Sequence, residues 1–111
     1  MRAITDEFMR QMLPIARPYS IVILKAGPNR DGPGVEKIIW EHGRRNFALR
    51  ADGILPIVCP VADGTPVHGI AIFNAGIAEA AAIMEEDPGV KAGVFTFEVH
   101  PCRSFPGDCL P

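Results

Sequence analysis

Six stretches of the chain switch between two hydrophobic periods, and the order of the switches leaves few folds open. "YSIVILKAG" is short, β-branched and continuously apolar, as a central strand is. From Val35 the spacing changes to that of a helix, with Val35, Ile38 or Ile39, His42, Asn46 and Leu49 on one stripe and Glu36, Lys37, Arg44 and Arg50 on the other side. Gly53 supplies the usual stop. "ILPIVCPVADGTPVHGIAIFNAG" then reads as two strands joined at Asp63-Gly64, a strong turn pair. Pro56 and Pro60 cannot donate to a ladder, which makes the first of these an edge or bulged strand. "IAEAAAIMEE" places Ile77, Ala80, Ala81 and Met84 at i, i+3, i+4 and i+7, a clear helix. Finally "GVFTFEVH" alternates, Phe95, Phe97 and Val99 against Thr96, Glu98 and His100.

The resulting order, β-α-β-β-α-β, is that of an α+β, ferredoxin-like domain: four antiparallel strands with both helices on one face. Its other sheet face must meet something, and a second copy across a two-fold axis closes it most simply, giving a dimeric α+β barrel. Ahead of this unit, "AITDEFMRQML" spaces Ile4, Phe8 and Met12 by four, with Asp6 and Glu7 in the first turn where the helix dipole favours acids. The layout is a helical extension over residues 1–18 packed on the main body, the domain over 19–103, and a tail over 104–111.

With 111 residues and 48% hydrophobic composition, one core is expected, removing roughly two-thirds of the unfolded surface from water. The net charge is −2 and the eleven Lys and Arg are scattered, so the basic footprint that neutralises phosphates is missing and nucleic acid is not expected as a partner. Apolar runs such as Ile21 to Leu24 fall far short of the roughly 20 residues a bilayer needs, and "MRAITDEF" carries acids where a signal peptide has its apolar segment. No membrane partner is expected, and a cytoplasmic location is. Cys59, Cys102 and Cys109 are odd in number and lack a CxxC pair, so reduced thiols are expected rather than a disulfide framework or a metal site. "GPNRDGPG" is rich in Gly, but its prolines remove N–H groups that a phosphate cradle needs, so no nucleotide cofactor is expected.

Two motifs in order, "EHGRRNFALRADGIL" and "EEDPGVKAGVFTFEVHP", resemble the YCII-related family, small proteins of the dimeric α+β barrel group. Its helix carries a His with an apolar residue at +7 and a small turn residue at +11, here His42, Leu49 and Gly53. Its second hallmark is an Asp-Pro after the second helix followed by Ala-Gly and the last strand, matched by "DPGVKAGVF". The likeness covers roughly residues 20 to 102. It departs at Asn46, where relatives carry an apolar residue, at Gly43 inside the helix, and at "VCPVADG", where relatives have Ala-Gly-Pro.

The resemblance extends to muconolactone isomerase and to relatives that eliminate chloride from hydroxylated rings. It implies a cofactor-free lyase or isomerase, without metal, acting on a small cyclic oxygenated compound. His42 would be the general acid or base and Asp87 its orienting partner or the second proton carrier, since a carboxylate can fix an imidazole tautomer and stabilise its charged form. Arg45, nearest the His42 stripe, would bind a substrate carboxylate, and Asn46 would lend its amide. Each residue has a plainer reading beside this one. His42 can be a half-buried histidine bonded to backbone or water. Asp87, before Pro88, can cap the short turn "PGVK", with or without a role in a site. Arg44, Arg45 and Arg50 can form a solvated helix face, with Glu41 paired to Arg45. Trp40 reads as a dimer or extension contact, and His100 as a surface residue. The rival function is a non-catalytic domain that binds a small ligand or serves as a dimerising accessory.

Overall fold

Ser20, Val22 and Leu24 alternate with half-buried residues along the first strand, so one face of the sheet is sealed and the other is not. This computed structural model describes residues 1–111. Its elements are α1 (Asp6–Met12), β1 (Arg17–Ala26), α2 (Val35–Ala51), β2 (Ile57–Pro60), β3 (Val67–Phe73), α3 (Ile77–Glu85), α4 (Pro88–Lys91) and β4 (Phe95–Ser104). The four strands form one antiparallel sheet in the order β2-β3-β1-β4. This α+β arrangement is compatible with a ferredoxin-like domain.

The register shows why the chain folds this way. Val22 stands opposite Ala71 and Val99, and Leu24 opposite Gly69 and Phe97, so the apolar alternants of three strands share one face. Those residues meet Val35 of α2, Ala80 and Met84 of α3, and Leu55, Phe73, Val94 and Phe95 in a single cluster. Removing each large side chain of this cluster from water contributes about 1.5–3 kcal/mol. Ser20, the polar member of the row, is satisfied: its hydroxyl donates to the Ala75 carbonyl at 2.7 Å.

The proline-bearing β2 is indeed an edge strand, paired with β3 alone. At Asp63-Gly64 the turn is closed by the Asp63 carboxylate, which accepts from the Thr65 backbone N–H and hydroxyl at 3.1 and 2.6 Å, while Gly64 takes φ 79°. Those hydrogen bonds, the hydroxyl's first, hold the Asp63 carboxyl below its ordinary range. β4 runs four residues past His100, to Ser104, pairing with the start of β1. Glu41 pairs with Arg44 at 3.1 Å rather than with Arg45.

The N-terminal extension corrects an expectation. Thr5 caps α1 by accepting from the Phe8 N–H at 3.1 Å, but no residue of the helix is buried. It projects from the body instead of packing on it. The radius of gyration is 16.3 Å with extents of 56 × 29 × 22 Å, against about 13 Å for a compact chain of this length. No helix is long and apolar enough to cross a membrane.

Candidate functional site

Asp87 closes an acidic run, Glu85-Glu86-Asp87, and local geometry explains its place. It adopts extended backbone (φ −66°, ψ 133°), Pro88 follows at the first helical position, and the side chain accepts from the N–H groups of Gly89 and Val90 at 2.9 and 3.2 Å. The acid therefore begins α4 rather than ending α3. Glu86 is offset by Lys91 at 2.7 Å, and that hydrogen bond lowers the Glu86 pKa. Gly89 is required by close approach: a Cβ there would lie 2.6 Å from the Phe95 ring and 3.0 Å from Asp87 Oδ2.

The capping carboxylate has a second task. His42 of α2 directs Nδ1 at it, 2.8 Å from Oδ1 and 2.9 Å from Oδ2. Asp87 is wholly buried and His42 nearly so, at 0% and 9% exposure. A carboxylate has room for about four donors; here three N–H groups occupy it, and Arg45 Nη1 stands at 3.9 Å, beyond hydrogen-bond range. With Nδ1–H donating to Asp87, Nε2 carries the lone pair in the neutral imidazole and a proton in the charged one. The Asn46 amide, one helical turn on, lies 3.2 Å from Nε2. Its NH2 donates to the unprotonated nitrogen, and turned over, its carbonyl accepts from the protonated one. The Phe95 ring, tilted 51° with its centroid 4.9 Å away, holds the imidazole in place.

Beside this pair lies a cavity of about 760 Å³, within the range of small-ligand sites. Its wall is mostly apolar, from Val22, Leu24, Leu55, Phe73 and Phe95. His42 and Asn46 line it and Asp87 does not, so the end of the hydrogen-bonded chain away from the buried carboxylate is the one at the cavity wall.

Of the four residues singled out in the sequence, the structure brings His42, Asp87 and Asn46 into one hydrogen-bonded chain. Arg45 is given to Asp87 instead of the cavity, because its position in α2 turns it toward the α4 cap. Arg30, His68 and Arg50 line the cavity, as do Asp108, Cys109 and Leu110 of the tail. Sequence reasoning missed Arg30 and the tail, since neither falls on a periodic element. The one local sign was a lone arginine in the loop after the first strand. His100 is a surface residue bonded to Glu98 at 3.0 Å, and the three cysteines are free thiols. No three of the His, Cys, Asp and Glu side chains gather closely enough to hold a metal. No protein-family model matches the chain, and a search of curated proteins finds no match.

Proposed function

We propose that the chain is a cofactor-free lyase or isomerase, akin to the YCII-related family, that moves a proton on a small cyclic oxygenated compound. The observation that carries this reading is the asymmetry of His42, whose Nδ1 is held by a buried carboxylate while its other nitrogen meets only the neutral amide of Asn46, itself part of the cavity wall. That is the arrangement of a general base. Nε2 takes a proton from a carbon next to a carbonyl or enol, and Asp87 stabilises the imidazolium that results. Return of the proton at another position completes an isomerisation; departure of an anion such as chloride completes an elimination. Asn46, whose NH2 sits on the resting Nε2, swings off to free the lone pair before the transfer, and its carbonyl then accepts from the protonated nitrogen. Neither cofactor nor metal has a part in this scheme.

A non-catalytic ligand-binding domain is the alternative, favoured by the largely apolar wall. Turnover separates the two. Lactones and halogenated phenols are screened against the wild type and His42→Gln. Loss of about 10²–10⁴-fold in kcat is expected for the variant; equal rates for both proteins remove His42 as the base, and binding without turnover favours the alternative.

The partner we propose is a second copy, meeting the open sheet face to form the α+β barrel. Supporting it, Ile21 and Ile23 of β1, Ile70 and Ile72 of β3 and Ile57 of β2 adjoin one another on that face through the strand register. Leaving such a patch in water is unusual for a monomer.

A further inference from the structure

We infer that Arg30 is an anion anchor and that the cavity's ligand carries a carboxylate, or a similarly planar oxyanion, on its ring. The inference rests on the proposed cavity as the ligand site but not on proton transfer at His42. Arg30 lines the cavity, and its Nε is shut in by the protein without any hydrogen-bond partner, which leaves the terminal guanidinium nitrogens to meet a guest. It enters none of the chain's ion pairs. A guanidinium N–H removed from water and left unpaired is costly, and a planar fork of donors is matched best by a carboxylate.

The loop that carries Arg30 is fixed at its base. Gly27 N–H donates to the Val94 carbonyl at 2.8 Å, Asn29 N–H to Gly93 at 2.9 Å, and the Asn29 side chain to Ala92 at 2.9 Å. These bonds tie it to the turn that leads into Phe95, the residue packed on His42. The charge of the wall agrees: Arg30 and Arg50 face the cavity against a single acid, Asp108 of the tail. A ring against the apolar wall with its carboxylate on Arg30 uses both parts of the lining. Arg45, which sequence reasoning offered for this task, already faces the chain's own carboxylate.

The test is calorimetric titration of the full chain with 2-naphthoate and its neutral isostere 2-naphthamide. Charged hydrogen bonds contribute enough that the wild type should favour the carboxylate by about tenfold to a hundredfold. Arg30→Gln should lose that preference, chiefly through weaker binding of the carboxylate, and Arg30→Lys should keep part of it. His42→Gln should retain the preference, so failure of the proton-transfer reading and failure of this one are distinct. In the wild type, naphthoate but not naphthamide should shift the Arg30 Nε–H resonance, a readout that does not depend on a variant's folding. Equal affinity for the two probes, binding of neither at millimolar concentration, an unmoved Arg30 resonance, or a preference that survives in folded Arg30→Gln would each overturn the inference.

Discussion

Asp87 serves three N–H groups at once, and the consequences of changing it differ with the replacement. Alanine removes the cap, orphans two backbone donors and leaves the His42 Nδ1–H facing an apolar gap. Asp87→Ala is expected to lower stability by about 2–4 kcal/mol, summing a lost cap with an unsatisfied buried donor. Asparagine keeps an acceptor for the cap but cannot accept through both oxygens or carry the charge that balances an imidazolium. Asp87→Asn should therefore retain most of the stability, within about 1–2 kcal/mol of the wild type, while turnover falls about a hundredfold or more. Urea denaturation beside turnover measures both; parallel loss of the two in Asp87→Asn contradicts a separate role at His42. The dual use was legible because Asp-Pro announces a cap and a stripe histidine announces an inward ring. Arg45 was not, because whether a side chain leaves a helix toward a cavity or a neighbouring turn is decided by packing that no spacing encodes.

At the level of elements, period and turn chemistry located the four strands and α1, α2 and α3, while α4 was read only as a capped turn and the single helical turn at Leu13–Ile15 was read as a break. β1 and β4 are longer than their apolar alternation because each supplies the other's ladder, from Arg17 opposite Ser104 to Ala26 opposite Phe95. α2 contains Gly43 beside His42, and a Cβ at that position would meet nothing within 4 Å. Gly43→Ala should therefore stabilise the fold by about 0.5–1 kcal/mol, seen as a raised melting temperature. An unchanged or lowered value shows that the space is not free. Across the β1–β4 pair, Lys25 and His100 both engage Glu98. The Lys25 hydrogen bond, then that of His100, holds the Glu98 carboxyl below its usual 4.5. With the folded value depressed, the stabilisation is present above the unfolded pKa near 4.5 and is lost as pH falls through the folded one. Carboxyl-detected NMR titration should show the Glu98 midpoint rising in Lys25→Met, and a midpoint that does not move excludes Lys25 as its main cause.

Across the whole molecule, what remains exposed says as much as what is buried. Only 14 of 111 residues are buried, while Phe8, Met9, Leu13 and Ile15 of the N-terminal arm and Trp40 and Phe47 of α2 stand in solvent. A chain of this length has apolar surface to spare, and these residues together with the open isoleucine face exceed what an isolated domain ordinarily shows. Sequence alone placed the arm against the body because an amphipathic helix needs a cover, yet it could not say whose surface supplies it. The tail was equally opaque, since its place beside the cavity depends on the whole sheet being in position. The proposed second copy would cover the sheet face without any new sequence element, and the arm would then be free to lie on the partner. The expected outcome is a dimer in sedimentation velocity at micromolar concentration. Ile70→Glu, which puts a charge at the centre of the face opposite Ile23 and Cys59, should shift that dimer to monomer with an unchanged far-ultraviolet spectrum. Removing residues 1–15 should weaken the dimer if the arm crosses to the partner and leave it unaltered if the arm stays with its own body. A wild-type monomer at tens of micromolar would show that the exposed isoleucines are tolerated in water, and the barrel would have to be abandoned while the His42–Asp87 chemistry could stand within one chain.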